Sequence, residues 1–401
     1  MSSDTSAHSQ SQGIAPSKPP FWRNPRVHAL FYQVVLLIGV FVFFGYIFHN
    51  TVVNLENQGI TTGFGFLDQE AGFGIIQSLI AYTPASTYAR TFAVGLLNTV
   101  LVSVVGIFLA TIVGLIVGLA RLSKNWLISR LAAVYIETFR NIPLLLQILF
   151  WYFAVLQALP SPRQSFSLGE VAFLNIRGIY LPEPVFESGF GVVFAAIALA
   201  VVIVAALAKW AHRRRMQTGQ SFHTVWTSLA VLIALPGLAF AVMGAPLGWS
   251  LPSLQGFNFT GGITVIPELA ALVIALTIYT ASSIAEIVRS GILSVSHGQT
   301  EAASSLGLST GKITRLVVLP QAMRVVIPPL TSQYLNLMKN SSLATAIGYP
   351  DLVNVFAGTT LNQTGQAVVI IAMTMSVYLT ISLLISFFMN WYNRRSAFVE
   401  Q

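Results

Sequence analysis

Four stretches of this chain, Thr91–Ala120, Asn141–Pro162, Met216–Pro267 and Leu352–Asn393, contain no Asp, Glu, Lys or Arg. A water-soluble domain needs a polar shell around its core, and gaps of this length leave no residues to build one. A helix crossing the hydrocarbon core of a bilayer needs about 20 mostly apolar residues, and each gap is long enough to supply them. Composition agrees, with charged residues at 8% of the chain against ~25% in an ordinary soluble domain. Helices satisfy their own backbone hydrogen bonds inside lipid, and the short alternating segments of a transmembrane barrel are absent. The expectation is an all-α integral membrane protein of about eight transmembrane helices.

The first apolar run, from Val27 to about Phe48, is too long for a signal-peptide core and lacks a small-residue cleavage site, so it reads as a retained helix. Ahead of it, the Ser-, Gln- and Pro-rich start of the chain reads as a disordered tail. Further spans are predicted at 92–120, 131–159, 190–208, 224–243, 265–290, 321–346 and 366–391. Pro328 and Pro329 fall inside the seventh and are expected to break it. Basic residues orient the set. With the N-terminus inside, the inner segments carry Lys18, Arg23, Arg26, Arg121, Lys124, Arg130, Lys209, Arg213–Arg215, Arg289, Lys312, Arg315, Arg324, Arg394 and Arg395, and the outer ones only Arg90, Arg163 and Arg177. The excess of Lys and Arg on one side places both termini in the cytoplasm. It also accounts for the net charge of +8 without nucleic acid. His212–Arg215 form a second basic cluster, read as a topology anchor that can also meet anionic headgroups.

The domain layout expected from these features is a cytoplasmic tail over 1–26, an extra helix with an outer loop over 27–90, a first core part over 91–160, an insertion with two extra spans over 161–262 and a second core part over 263–395. A cytoplasmic loop occupies 292–320 of that last part. In it, Ser296 and Gln299 fit a capping box, Gly307 suits a helix end because glycine enters the left-handed region at little cost, and Ser309 can cap a second short helix. Pro320 marks the return to the membrane. The loop is therefore predicted to be two short helices joined at Gly307.

That loop carries a resemblance. Glu301-Ala302-Ala303, then Gly307, then Val317-Val318-Leu319-Pro320 resembles the "EAA" loop of bacterial ABC importer permeases, with Val317 where isoleucine is usual. Tyr279, Ala285-Glu286-Ile287, Arg289, Pro328-Pro329 and Lys339-Asn340-Ser341-Ser342-Leu343 are similar to the polar amino-acid branch. So are Leu97-Asn98-Thr99, Gln147 and Glu137-Thr138-Phe139-Arg140-Asn141-Ile142-Pro143-Leu144, with Asn141 where glycine is usual. The added first span, the long insertion and Gly63-Phe64-Gly65-Phe66-Leu67 look like the long subunit of general L-amino-acid permeases.

The resemblance implies a five-helix type I importer core made of spans two, three, six, seven and eight. It implies ATPase coupling through Glu301, Ala302, Ala303, Gly307, Leu319 and Pro320. The expected partners are a second homologous permease (a heterodimer), an ATP-binding-cassette ATPase dimer, a periplasmic amino-acid-binding protein docking on the long outer loops, and the lipid bilayer. The expected location is the bacterial inner membrane. ATP and Mg belong to the partner ATPase, and no cofactor is expected in this chain. A phosphate loop at Gly307…Gly311-Lys312 fails because Leu306 and Ile313 stand where glycine and Ser or Thr are required. The six histidines show no paired ligand spacing, and cysteine is absent. The chain itself is therefore expected not to be an enzyme. The alternative class is a secondary amino-acid transporter driven by an ion gradient.

Ionisable and polar residues at membrane depth are costly, and are candidates for the substrate path: Asn98, Arg140, Gln147, Tyr279, Ser282, Glu286, Lys339, Asn340, Ser341 and Ser342. Glu286 and Arg289 stand three apart on one helical face, as do Glu137 and Arg140, so each pair is placed to interact directly. For each of these residues a structural role, as an ion pair or an interhelical hydrogen bond, stands beside the path role.

Overall fold

The structure, a computed structural model, describes residues 25–57 and 63–396. Of the tail expected over 1–26, residues 1–24 lie outside them, and residues 25 and 26 belong to the first helix. Helix α1 (Pro25–Asn57) belongs to a separate compact unit. Its apolar stretch buries no residue, as suits a single helix meant for acyl chains.

In the other unit, the core is built by α2 (Tyr88–Arg121) and α7 (Pro267–Leu293) lying along each other, with α10 (Leu319–Asn340) packed against both. Lipid gives helices no hydrophobic reason to associate, so close packing through small residues has to do it. Helix α2 supplies Gly106, Ala110, Gly114 and Gly118 at intervals of four, all buried. A Cβ on Gly114 would come within 2.6 Å of Ile284 Cγ2, and one on Gly118 within 2.8 Å of the Ala285 carbonyl. On α7, Gly291 is equally tight against Val326 of α10.

The second core span is not straight. Helix α3 (Trp126–Asn141) stops at Ile142-Pro143, and α4 (Leu144–Leu149), extended by a wide-turn segment over Phe150–Leu156, departs at 105°. The continuous 131–159 span expected from hydropathy is therefore corrected to a broken one. The cause is Pro143, which bars its predecessor from the helical region, and Ile142 sits at ψ 127°. Helix α10 shows the opposite outcome, running through Pro328 and Pro329 without a break. Two missing N–H groups are not enough to stop it, and the chain tightens only at Ser341–Ile347.

The insertion forms a helical hairpin, α5 (Phe190–Thr218) and α6 (Thr224–Val242). Its flanking outer loops fold into short strands. These are β1 (Phe166–Leu168), β2 (Ala172–Asn175), β3 (Gly178–Leu181), β4 (Glu183–Phe186), β5 (Leu247–Ser250), β6 (Ser253–Gln255), β7 (Asn258–Thr260) and β8 (Ile263–Val265). One sheet has the order β1-β2-β3-β8 and is antiparallel throughout, with Tyr180 opposite Thr264. Strand β4 pairs with β5, and β6 with β7. Phe259 fills the space between Phe173 and Tyr180, with ring centroids 4.5 and 4.8 Å away, and Arg163 lies over Phe257. Burial raises the Tyr180 phenol above its ordinary range, and its hydroxyl donates to Asn258 Oδ1 at 3.0 Å. Because β3 pairs with β8 and β4 with β5, the start of α5 and the end of α6 lie on one side, as the charge asymmetry requires.

After the short α11 (Leu361–Thr364), helix α12 (Ala367–Ser396) closes the sequence of spans. The described residues contain seven helices long and apolar enough to cross a membrane, or eight when the bent pair counts as one span.

Candidate functional site

Two features concentrate the polar chemistry: a charged cavity between α2, α3, α7 and α10, and the loop between α7 and α10.

The cavity is about 200 Å³, lined by Arg121, Ala133, Ile136, Glu137, Arg140, Glu286 and Arg289. A neighbouring one of about 180 Å³ is lined by Arg140, Ser283, Glu286, Ile287, Ser290 and Gln333. Helical spacing explains the convergence, since Ala133, Ile136, Glu137 and Arg140 fall on one face of α3. The Glu286–Arg289 pair forms as its spacing indicates. The Arg289 guanidinium donates twice to the carboxylate, at 2.6 and 3.0 Å, with both side chains 31% exposed. Glu137 and Arg140, at the same spacing, make no ion pair with each other within 4.0 Å. Arg140 is exposed and lines both cavities. Four polar lining residues, Arg121, Ser283, Ser290 and Gln333, are not among the path candidates read from the sequence. Arg121 reads there only as a loop charge, and Gln333 has no distinguishing spacing.

The other polar candidates lie elsewhere. Asn98 is fully buried, and its amide donates to the carbonyls of Gln77 and Pro350, both at 2.9 Å. The next residue, Thr99, accepts from the Leu352 N–H through its hydroxyl at 3.0 Å. Together they hold the turn at 349–352 against α2, where buried Asp351 accepts from the Asn354 N–H at 2.8 Å. Gln147 is also buried, and its amide bridges the carbonyls of Phe139 and Ile142 at 3.0 Å each. It thereby satisfies carbonyls that the α3–α4 break leaves without helical partners. The side-chain oxygens of Asn98 and Gln147 have no hydrogen-bond partner. Ser282, Ser341 and Ser342 each donate to the carbonyl three residues earlier, at 2.6, 2.7 and 2.8 Å. Tyr279 packs on the core. Lys339 is exposed and Asn340 half-buried at the end of α10, and none of Lys339 to Ser342 lines either cavity.

The cytoplasmic loop holds α8 (His297–Ser305) and α9 (Thr310–Ile313), with Gly307 between them at φ +74°. Three details differ from expectation. Ser296 makes no side-chain cap, and Gln299 instead accepts from the Gln321 amide at 3.4 Å. Ser309 occupies the cap position of α9 without a side-chain bond. Helix α9 is not a separate element, because it continues through a wide turn over Thr314–Val318 into α10. Pro320 is the reason: it lacks the N–H of a regular ladder and its ring would press on the carbonyl four residues back, and a wide turn relieves both. Ala303 is buried against its own chain, whereas Glu301 and Ala302 are exposed. Leu306, notable in the sequence only for failing a phosphate-loop pattern, is 80% exposed at the tip. Leu319 is exposed and Pro320 half-buried.

Residues 225–397 match the family described as "Binding-protein-dependent transport system inner membrane component". The chain is 56% identical to the amino-acid ABC transporter permease protein YhdX of Escherichia coli, across 94% of this chain and 96% of that one. It is 53% identical to the general L-amino acid transport system permease protein AapQ of Rhizobium johnstonii, across 94% of each. It is 43% identical to the glutamate/glutamine/aspartate/asparagine transport system permease protein BztB of Rhodobacter capsulatus, across 92% and 94%. With this identity over nearly full length and the membrane-spanning fold, the chain belongs to the binding-protein-dependent transport system inner membrane components, as a multi-pass amino-acid ABC transporter permease of the bacterial inner membrane.

Proposed function

We propose that this permease moves L-amino acids inward by alternating access, driven by a separate ATPase that grips the α8–α9 loop. The observation that carries the reading is the exposed ridge Glu301, Ala302 and Leu306 beside the left-handed Gly307. It is a short, polar-flanked helix with an apolar tip, the kind of surface that seats in a groove of a partner. ATP binding closes the ATPases, draws the loops of two permeases together and turns the cavity outward. Release of the hydrolysed nucleotide returns it inward. A second, similar permease completes the translocation path, a periplasmic receptor delivers the amino acid, and the strand-bearing outer loops are the receptor's landing surface.

Co-purification with the ATPase tests this reading. Wild type is expected to bind it, and Glu301→Arg to lose binding or ATP-driven uptake without losing membrane insertion. Uptake in liposomes under an ion gradient alone, with no ATPase bound, would establish the secondary-transporter alternative.

The substrate path follows from charge. An amino acid brings a carboxylate and an ammonium, and the paired cavities offer Arg140 and Arg121 to the first and Glu137 to the second, while Glu286 and Arg289 hold each other. Arg140→Gln is expected to raise the KM for uptake about tenfold or more, by removal of one charge-assisted hydrogen bond, with ATPase co-purification unchanged. An unaltered KM would remove Arg140 from the path. Asn98 and Gln147 brace the walls of that path, and Lys339 to Ser342 lie beyond the two cavities.

A further inference from the structure

The α5–α6 hairpin takes no part in the functions above, and one end of it is chemically distinctive. Helix α5 has 29 residues and α6 has 19, about 43 and 28 Å at 1.5 Å per residue. Only α6 matches the ~30 Å hydrocarbon core. The last turns of α5 therefore stand beyond the level at which α6 enters the membrane, and those turns carry Lys209, His212, Arg213, Arg214 and Arg215. From Ser188 to Pro267 the chain contains no Asp or Glu, so the hairpin has no carboxylate of its own to neutralise them. Lys209, Arg213 and Arg215 are exposed and make no ion pair within 4.0 Å.

The end is also shaped. The loop after α5 folds back along it, with the Phe222 ring edge-on to Trp210 at 5.3 Å. The Arg214 guanidinium lies over Trp210 at 5.4 Å and donates to Gln220 Oε1 at 2.9 Å. This holds an amphipathic aromatic and a cation together at the rim, the placement aromatic residues take at a membrane–water interface. Below the rim α6 buries no residue and α5 buries only Val193, Ala200 and Ala211. The flanks of the hairpin are thus apolar surface of a kind that acyl chains cover.

We propose that the cytoplasmic end of the α5–α6 hairpin binds an anionic phospholipid, its phosphodiester held by Lys209 and Arg213, one turn apart on one face of α5, and its acyl chains lying along that same face over exposed Val202. A free phosphate would gain nothing from those apolar flanks, and a protein partner would need carboxylates to match the cations. The inference rests on the membrane-embedded fold and not on the coupling reading.

The test is native mass spectrometry of the full transporter complex, equilibrated with equal phosphatidylglycerol and phosphatidylcholine. Wild type is expected to retain phosphatidylglycerol over phosphatidylcholine. The single exchange Arg213→Gln should lower that retention about fivefold, and the double exchange Lys209→Gln, Arg213→Gln at least tenfold, from the ~1 kcal/mol that each cation contributes at an anionic surface. Lys124→Gln with Arg130→Gln, exposed cations of the α2–α3 turn and the start of α3, should leave retention unchanged. Equal retention of the two lipids by wild type overturns the proposal whatever the variants do. So does an equal loss in the control, which would mean a diffuse charge effect. Retained lipid with a lost ATPase would assign the cluster to the ATPase and overturn it as well. Should the double variant fail to assemble, the single exchange and the wild-type preference decide.

Discussion

Gly114→Val is expected to destabilise the folded permease by about 3 kcal/mol, the upper end for overpacking a tight core. The new Cβ would stand 2.6 Å from Ile284 Cγ2, with the Ala281 carbonyl at 3.1 Å, and neither neighbour can yield. Ile284 is fully buried, and the carbonyl belongs to the backbone of α7. Overpacking of a tight core costs about 1–3 kcal/mol in general, and here two branched methyls arrive at the seam that holds α2 to α7. Net stabilities of folded proteins are only ~5–15 kcal/mol, so a cost at the top of the overpacking range removes a substantial part of the margin. The measurement is the monodisperse fraction after detergent extraction, together with the midpoint of thermal aggregation. Gly39→Val on α1, where nothing lies within 4 Å, is the matched control and should behave as wild type. A Gly114→Val protein as stable as wild type would show that the α2–α7 seam is looser than its geometry.

Leu306→Asp addresses the coupling surface with the opposite design, since it should leave the fold intact. Leu306 is 80% exposed, so replacing it removes little internal packing. In a partner's groove it would be an apolar anchor, and central anchors of that kind contribute about 2 kcal/mol or more to binding. Burying a carboxylate there adds a desolvation penalty. ATPase affinity is expected to fall about thirtyfold or more, and ATP-driven uptake with it, while thermal stability stays at the wild-type value. If uptake and ATPase binding survive, Leu306 lies outside the coupling surface. Glu301→Arg would then decide whether the α8 face as a whole is misassigned.

The two variants also separate what the sequence can reveal from what it cannot. Spans are legible because charge is so costly in hydrocarbon that its absence marks them directly. The gap Leu352–Asn393 contains nearly all of α12, which runs only three residues past its end. The two-helix loop is legible because a left-handed Gly307 between short helices has a local cause. Tertiary consequences are harder to see. Pro143 and the pair Pro328-Pro329 carry the same local signal, yet one breaks a span and the other does not. What distinguishes the first is Gln147, which supplies donors to the stranded carbonyls of Phe139 and Ile142. The strands of the outer loops are only three or four residues long, too short for alternation to rise above background. They exist because distant segments meet, Ile179 facing Val265 across an intervening hairpin. In the site, Glu286 with Arg289 is readable from spacing alone, whereas the inclusion of Arg121 and Gln333 depends on how α2 and α10 cross.

Strands β4 and β5 place Phe186 directly opposite Leu247. The chain leaves for α5 and returns from α6 through neighbouring positions of one ladder, so the whole segment between them departs and comes back at a single doorway. An antiparallel pair can be closed by a two-residue turn. Joining Phe186 to Leu247 in that way would therefore excise the hairpin without stretching any helix of the core. In evolutionary terms the hairpin is a module with its own hinge plate. Relatives with and without it can share one translocation core, because gain or loss of the module requires no rebuilding of the α2–α7 seam.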